Sequence, residues 1–363
     1  MKLIKHHGRS GMTDLSFYKG KKVLITGHTG FKGSWMSVVL VNAGAKVIGY
    51  SLAPDNNPSL FGLLGVEGEI EHIIGDVRDL NHMKEVFASY QPEIVIHMAA
   101  QPLVRKSYDE PVETYSTNVM GTVNILECVR LNSCVKSFLN VTTDKVYDNK
   151  ELNRGYREDE PLDGYDPYSN SKSCSELVTH SYKKSFFADS VTSISTARAG
   201  NVIGGGDFAT DRIIPDCVRA AVSGQAIHVR NPYSIRPYQH VMEPINAYLM
   251  IAAEQYGNKD LSGYYNVGPD DEDCLCTGEL VDLFIKHWDE GLERIDGFDG
   301  GPHEANYLKL DCTKLKDTFG WTPKWNIDTA VQKTVEWTKC WMTSGNIREC
   351  MNKQIIDYYE GSL

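Results

Sequence analysis

A glycine-rich loop near the start of the chain restricts the possible folds more than any other segment. The apolar run 22–26 predicts a short strand, which is followed by Gly27-His28-Thr29-Gly30-Phe31-Lys32-Gly33 and then by an apolar stretch, 34–42, with helical spacing. Glycines between a strand and a helix permit a tight turn and a close approach of the backbone to a diphosphate. The pattern therefore predicts a dinucleotide-binding α/β domain, with cofactor contacts from Gly27, Thr29, Gly30, Phe31 and Gly33.

The first 200 residues continue this alternation of strand and helix. Apolar runs predict further strands at 46–50, 70–74, 93–98, 138–141 and 192–197, and helical spacing appears between them, for example at 80–90 and 112–131. Alternation of this kind is typical of a doubly wound, Rossmann-type parallel sheet.

The alternation weakens after residue 200. Helical spacing appears at 211–223, 241–255, 277–288, 313–319 and 327–342, joined by short strand-like pieces such as 227–229 and 264–267. We therefore expect a dinucleotide-binding domain over 15–200, to which later segments return, and a smaller, interleaved C-terminal α/β substrate domain mainly over 201–363. Residues 1–14 are polar and punctuated by glycine, and we predict a disordered leader or a remnant of expression there.

The charge and the cysteines exclude several classes of function. A net charge of −11 over 363 residues argues against nucleic acid or an anionic membrane surface as the partner. The apolar runs are too short for a membrane span and the start is basic and polar, so we expect neither a span nor a secretory signal. The nine cysteines are scattered without metal-ligand spacing, which predicts free thiols, no metal site and a cytoplasmic location.

Residues after the second to fourth predicted strands are further candidates to contact the cofactor. Asp76 is placed to accept a hydrogen bond from an adenine amino group, although a role as the N-cap of helix 80–90 is nearly as well supported. Val77 follows it, and Ala99 and Ala100 leave room for a flat ring. Ser51 stands where an acidic ribose ligand is expected, and no basic residue is there to bind a 2′-phosphate, so we expect NAD rather than NADP.

The strongest candidate for a reactive site follows the strand predicted at 138–141. Thr143, Asp144 and Lys145 lie at its carboxyl end, where open α/β sheets bind their ligands. Tyr168 and Lys172 are four residues apart on a predicted helix, so both side chains lie on one face. Tyr-x-x-x-Lys alone is weak evidence, because a solvated surface pair has the same spacing; its value here comes from the other motifs.

Together these motifs resemble the extended short-chain dehydrogenase/reductase superfamily. The resemblance is carried by Gly27-x-x-Gly30-x-x-Gly33, His97-x-Ala99-Ala100, Asn118, Thr143-Asp144-Lys145 and Tyr168-x-x-x-Lys172, in an order that matches from about residue 20 to 340. The acidic residue after Thr143 resembles the motif of the nucleotide-sugar 4,6-dehydratases, which usually have Thr-Asp-Glu at these positions. Lys145 in place of the glutamate, with the segments 231–241 and 303–311, resembles the CDP-glucose 4,6-dehydratases.

The resemblance implies a reaction in three steps with NAD recycled inside each turnover. Tyr168 and Lys172 would contact the cofactor, Lys172 by a hydrogen bond to its ribose. Tyr168 would be the base for oxidation at C4, helped by the charge of Lys172 and by Thr143 at the C4 oxygen. Its ordinary pKa near 10 must then fall by about three units, or roughly 4 kcal/mol. For loss of water across C5 and C6, Asp144 would be the acid, with a raised pKa, and Lys145 the base, neutral because burial and Lys172 lower its pKa. Alternatively, Lys145 is a charged group that stabilises the enolate while another group takes the proton.

Binding of CDP-glucose needs cationic donors that the acidic chain average does not supply. Arg236 is the first choice for a diphosphate clamp, followed by Asn201 and Arg212, although ordinary surface contacts, which are ion pairs for the two arginines, are an alternative for each. Tyr307 is a candidate to stack on cytosine, as are Tyr233 and Tyr238, with core packing equally plausible. The family resemblance also implies a homodimer that pairs through helices around 112–131 and 167–187.

Three other functions remain open from the sequence. A UDP-sugar 4-epimerase shares the fold, the cofactor and the Tyr-Lys pair but usually lacks Asp144 and Lys145. A dehydratase of another nucleotide-glucose differs only in base recognition. A non-catalytic, nucleotide-sensing regulator predicts a damaged catalytic set, whereas this one is whole except for the change from glutamate to lysine.

Overall fold

A parallel sheet forms the centre of the molecule in the computed structural model, which describes residues 11–289, 291–297 and 307–360. The strands in chain order are β1 (Lys22–Thr26), β2 (Lys46–Ser51), β3 (Glu71–Ile74), β4 (Ile94–His97), β5 (Ser137–Thr143), β6 (Ser193–Ala199), β7 (Val202–Ile203), β8 (Ile227–Val229), β9 (Ile235–Arg236), β10 (Gln239–His240), β11 (Tyr264–Val267), β12 (Leu275–Cys276) and β13 (Arg294–Asp296). Seven of them form the main sheet in the order β11-β6-β5-β4-β1-β2-β3, and every pairing in it is parallel. The doubly wound, Rossmann-type prediction is confirmed.

Helices cover both faces of this sheet. They are α1 (Phe31–Asn42), α2 (Leu60–Leu64), α3 (Leu80–Tyr90), α4 (Val104–Asp109), α5 (Pro111–Tyr115), α6 (Gly121–Leu131), α7 (Pro167–Phe186), α8 (Ile213–Ser223), α9 (Met242–Gly257), α10 (Thr277–Trp288), α11 (Thr313–Phe319), α12 (Ile327–Met342) and α13 (Ile347–Glu360). The predicted helix 112–131 is α5 and α6 joined by a π-helical turn, Ser116–Met120.

Alternating residues of β1 show how the two faces are built. Val23 and Ile25 pack into a core that includes Trp35 of α1, whereas Leu24 packs into a second core that includes Phe87 of α3. Successive side chains of a strand point to opposite faces, and a parallel sheet covered on both sides therefore reads as one apolar run. This explains why the strand pattern in the sequence predicts the sheet well.

A third core holds the C-terminal elements together. Side chains of α8, α10 and α12 form it, among them Ile214, Phe284 and Val331. Short two-stranded sheets, β8 with β13 and β9 with β12, lie in the same part of the chain. The strand-like piece 264–267 is β11, which pairs with β6 at one edge of the main sheet and so returns to the first domain. The division at residue 200 stays a prediction.

The predicted leader needs one correction. Residues 1–10 lie outside the described residues, but Thr13 is buried, and its backbone N–H donates to Asn246 Oδ1 at 3.0 Å. Its hydroxyl also donates to the Asn246 carbonyl oxygen at 2.8 Å. Residues 11–14 therefore belong to the folded part, because Gly11 and Thr13 are paired with Asn246 of α9 and Asp14 accepts from the Ser16 N–H. Within the described part of the chain, no helix combines the length and apolarity needed to cross a bilayer.

Candidate active site

The glycine loop makes the tight turn that its sequence predicts. Gly27 has φ +79°, and a Cβ on it would lie 2.9 Å from the Ala99 backbone nitrogen. A Cβ on Gly33 would lie 2.1 Å from the Gly27 carbonyl oxygen. Neither position has room for a side chain. Gly27 lies against the residues that follow β4, and Gly33 lets α1 begin directly above the loop.

A cleft of about 420 Å³ opens above this loop at the carboxyl ends of the parallel strands. All eleven residues predicted to contact the cofactor line it: Gly27, Thr29, Gly30, Phe31, Gly33, Asp76, Val77, Ala99, Ala100, Tyr168 and Lys172. Parallel strands bring their carboxyl ends to one edge, so segments distant in sequence meet there.

Two of these residues make contacts that the sequence did not predict. The Thr29 hydroxyl lies 2.7 Å from Ser51 Oγ and donates to the Leu52 carbonyl oxygen at 2.9 Å, so it ties the glycine loop to the end of β2. Asp76 accepts from the Arg78 side chain at 2.9 Å, which lowers the pKa of Asp76. The N-cap of α3 is Asp79, so the alternative of Asp76 as that cap is wrong.

A second cavity, of about 260 Å³, adjoins the cleft and contains the predicted reactive groups. Its lining includes Thr143, Asp144, Lys145 and Tyr168 together with Asn201, Arg212 and Arg236. Tyr168 lines both spaces, as do Phe31, Lys32 and Arg212. A group held in the cleft and a second molecule in this cavity would therefore meet at Tyr168.

Tyr168 is held at the start of α7. Pro167 occupies the first helical position, and Asp166 caps the helix by accepting from the Ser169 N–H at 2.9 Å. Burial raises the pKa of Tyr168 to about 12, against the lowering effect of a hydrogen bond with Thr143, and the Asp144 carboxylate raises it further. Without ligands the phenol is therefore fully protonated near pH 7.

Lys172 lies one turn further along α7 with its side chain buried. Its Nζ donates to the Val141 carbonyl oxygen in β5 at 3.2 Å. Burial lowers the pKa of Lys172 to about 7, with a further contribution from Lys32. A negative group placed beside it would raise this pKa again, because it would favour the ammonium form.

Asp144 lies just beyond β5 and is almost fully buried. Its Oδ1 accepts from the Thr143 hydroxyl at 2.9 Å, whereas Oδ2 has no hydrogen-bond partner among the described residues. A Cβ on Gly200 would lie only 2.3 Å from Oδ2. Glycine at the end of β6 therefore gives this carboxyl its space. Lys145 follows in a short turn, partly exposed at the cavity wall.

The predicted substrate ligands are brought together with one exception. Arg212 donates to Asp207 Oδ2 at 3.0 Å, and Arg236 is 6% exposed on β9. Asn201 also lines the cavity. Tyr307 does not line it; its hydroxyl donates to Asn153 at 3.4 Å, so the stacking prediction is not supported. Of the other tyrosines, Tyr238 lines the cavity, whereas Tyr233 is 83% exposed outside it.

A buried ion pair fixes α7 against the sheet below the site. Glu176 accepts from Arg198 at 2.9 Å and from the Thr142 and Thr196 hydroxyls at 2.5 and 2.8 Å. Burial opposes ionisation of Glu176, but Arg198 and these hydrogen bonds hold its pKa near 2. The carboxylate is therefore fully ionised inside the protein and orients the helix that carries Tyr168. Asn118 is likewise structural, since it pairs with Gln101 and with Ser171 of α7.

Three residues at the site were missed from the sequence: Lys32, Gly200 and Asp207. Lys32 lies inside the glycine loop, and a basic residue beside a predicted anion site is a signal that could identify it. Gly200 follows a predicted strand, but nothing local indicates that it faces Asp144. The Asp207 partner of Arg212 is apparent only once the fold brings the loop after β7 over the cleft.

Known proteins similar to this chain include nucleotide-sugar dehydratases, in agreement with the motifs described above. The family model described as GDP-mannose 4,6 dehydratase matches residues 24–334. The chain is 47% identical over 355 residues to the CDP-glucose 4,6-dehydratase of Salmonella typhimurium, covering 96% of this chain and 98% of that protein.

Two solved structures with the same fold contain ligands. A dTDP-glucose 4,6-dehydratase from Streptomyces venezuelae with NAD and TYD bound has a TM-score of 0.76, with 20% identity over 89% of this chain and 98% of that chain. A UDP-glucose 4-epimerase from Thermotoga maritima with UDP-glucose has a TM-score of 0.74, with 21% identity over 88% of this chain and 99% of that chain. These two structures support the fold, and the family model and the Salmonella relative show the family to which the chain belongs. The chain belongs to the GDP-mannose 4,6-dehydratase family, within the extended short-chain dehydrogenase/reductase superfamily.

Proposed function

We propose that this protein is an NAD-dependent CDP-D-glucose 4,6-dehydratase. The reaction converts CDP-glucose to CDP-4-dehydro-6-deoxy-D-glucose and water. The observation that carries the proposal is the meeting of Asp144 and Lys145 with Tyr168 in one cavity beside the cleft. The near full-length similarity to the Salmonella enzyme supports the choice of CDP-glucose. In bacteria the product would serve the synthesis of dideoxysugars for O-antigens.

The cleft fits NAD in shape and charge. The glycine loop exposes backbone where a diphosphate would bind, and Ala99 and Ala100 leave space beside Tyr168 and Lys172 for a flat ring. The end of β2 and the loop after it contribute Ser51, Leu52 and Asp55 but no basic side chain, which favours a free ribose 2′-hydroxyl over a phosphate. When bound, NAD would take a hydride from C4 of the hexose and return it at C6.

Oxidation at C4 requires Tyr168 to remove the hydroxyl proton. Bringing the phenol from a pKa of about 12 to the range near 7 costs about 7 kcal/mol. This exceeds the roughly 4 kcal/mol expected from the ordinary tyrosine pKa near 10. Lys172 in its ammonium form supplies part of this, and positive charge on the oxidised cofactor supplies more. Tyr168 would therefore be active only with cofactor bound, with Thr143 placed to hydrogen-bond the C4 oxygen.

Elimination of water from C5 and C6 requires an acid and a base on the same side of the site. Asp144 has an unpartnered, buried Oδ2 that can hold a proton and donate it to the departing C6 hydroxyl. Lys145 lines the same cavity and would remove the C5 proton in place of the usual glutamate, and would return a proton to C5 when the hydride is added at C6. Arg212, Arg236 and Asn201 would bind the substrate diphosphate.

Assays with four nucleotide sugars test this function directly. CDP-, UDP-, dTDP- and GDP-glucose are supplied separately, and formation of the 4-keto-6-deoxy sugar is measured by its absorbance in alkali and by mass. We expect turnover with CDP-glucose at least tenfold above the others. Equal turnover of another nucleotide-glucose would contradict the proposed preference for CDP-glucose. Formation of a C4 epimer without loss of water would identify a 4-epimerase.

We also propose a homodimer that forms through α5, α6 and α7. Large apolar side chains on these helices and the turn between them are exposed, although such residues are normally buried: Val112, Met120, Leu131, Leu177 and Phe186, each at least 50% exposed. Light scattering should give twice the chain mass, and Leu177→Glu with Met120→Glu should give the monomer. The nine cysteines are all free thiols, which supports a cytoplasmic location that cell fractionation would test.

A further inference from the structure

Lys32 is a basic residue that the proposed mechanism leaves without a role. It lies in the first turn of α1 and lines both the cleft and the adjoining cavity. Among the described residues, its Nζ has no hydrogen-bond or ion-pair partner. The Asp144 and Asp207 carboxylates raise the pKa of Lys32, but neither forms a direct ion pair with it. A partly buried ammonium without a direct partner is costly, so a bound anion is the natural partner for it.

The position of Lys32 in its helix also runs against the usual preference. The N-terminal end of a helix carries partial positive charge, which favours acidic side chains and disfavours a cation. The first turn of α1 contains no acidic residue. Burial lowers the pKa of Lys32 to about 8, and Arg212 contributes in the same direction. The sequence therefore places a cation where the protein alone stabilises it poorly.

The charged residues around Lys32 show which cation of the cleft is available to a bound anion. Asp207 is engaged by Arg212, and Asp144 accepts from Thr143. Both carboxylates raise the pKa of Lys32 from a distance, but neither is paired directly with it. Of the three basic residues that line the cleft, Lys172 donates to a backbone carbonyl. Arg212 is paired with Asp207 and also lines the adjoining cavity, where it is assigned to the substrate diphosphate. This leaves Lys32 as the cation available to a diphosphate bound over the glycine loop.

We propose that the Lys32 ammonium binds the diphosphate of the bound dinucleotide cofactor, in addition to the backbone N–H groups of the glycine loop. This inference rests on the proposed function, because it takes the cofactor to be NAD. It would also strengthen cofactor binding where Ser51 stands at the position of the usual acidic ribose ligand, with Asp55 lining the cleft four residues later. Lys32 would thus anchor the cofactor at its centre.

Cofactor binding without turnover is the test. Purified protein freed of nucleotide is titrated with NAD, and separately with CDP, by calorimetry. Lys32→Met removes one charge-assisted hydrogen bond, so its affinity for NAD should be about tenfold to a hundredfold weaker than that of the wild type. Its affinity for CDP should change less than about twofold. Lys32→Arg, which keeps the charge, should lose much less. Lys46→Met, at an exposed position at the start of β2, is the matched control and should bind both ligands normally.

The outcomes separate the inference from the proposed function. Unchanged NAD affinity in Lys32→Met, with CDP binding intact as evidence of folding, would overturn the role of Lys32. A larger loss of CDP than of NAD affinity would overturn it too, because the ammonium would then serve the substrate diphosphate. If the wild-type protein binds CDP but no NAD, the proposed function itself fails.

Discussion

Replacing Gly200 by alanine should slow the elimination step while leaving oxidation nearly unchanged. An alanine Cβ would lie 2.3 Å from Asp144 Oδ2 and 2.5 Å from its Cγ. Non-bonded atoms in proteins essentially never approach a Cβ within 3.0 Å, so the carboxyl must move by roughly 0.7 Å. Displacement of a reacting group by about 1 Å typically costs about a hundredfold in rate, so we expect a tenfold to hundredfold slower elimination.

Stopped-flow absorbance separates the two steps. Mixing substrate with the NAD-loaded protein reports oxidation as growth of the reduced-nicotinamide band, and quenched samples report the dehydrated sugar. In Gly200→Ala the reduced cofactor should accumulate, since its formation continues while its consumption is slowed. Gly257→Ala is the matched control, because a Cβ there meets no atom within 4 Å.

Two results would refute the reasoning. Product formation within twofold of wild type would mean that Asp144 tolerates the displacement or is not the acid. Equal loss of reduced-cofactor formation and of product would mean that the substitution disturbs oxidation, so that Gly200 acts on the whole site rather than on one carboxyl.

Three further substitutions test other parts of the site. Tyr168→Phe should abolish reduction of bound cofactor on addition of substrate; undiminished growth of the reduced-nicotinamide band would contradict its role as base. Arg236→Ala should raise KM about tenfold to a hundredfold with a smaller fall in kcat, and a fall in kcat alone would place Arg236 elsewhere in the mechanism. Glu176 has a folded-state pKa near 2, below its ordinary 4.5, so its stabilisation is present above pH 4.5 and is lost as the pH falls toward 2. Glu176→Gln should therefore show a shallower loss of urea stability over that window, and an unchanged slope would refute the ion-pair argument.

The sequence predicted the parts of this molecule that local patterns determine. The apolar runs of β1, β4 and β5 predicted a buried parallel sheet because both faces of such a sheet are covered. The glycine loop and the Tyr168 helix were placed correctly because turn geometry and helical spacing are set by near neighbours. The ends of parallel strands then bring these motifs to one edge without further information.

The sequence was least informative where distant segments meet. Nothing near residue 264 indicates that β11 pairs with β6, because a four-residue strand such as Tyr264–Val267 is equally compatible with a small sheet. The exclusion of Tyr307 from the cavity depends on how the C-terminal segment packs. Thr13 was assigned to a leader because its hydrogen-bond partner, Asn246, lies 233 positions away.

Isotope transfer from C4 tests the central claim most directly. CDP-glucose carrying deuterium at C4 is converted by the protein in ordinary water, and the product is examined by mass spectrometry and NMR. If one pocket oxidises, dehydrates and reduces the same hexose with a retained cofactor, the deuterium should appear in the C6 methyl group. Deuterium retained at C4, or absent from a dehydrated product, would contradict the account.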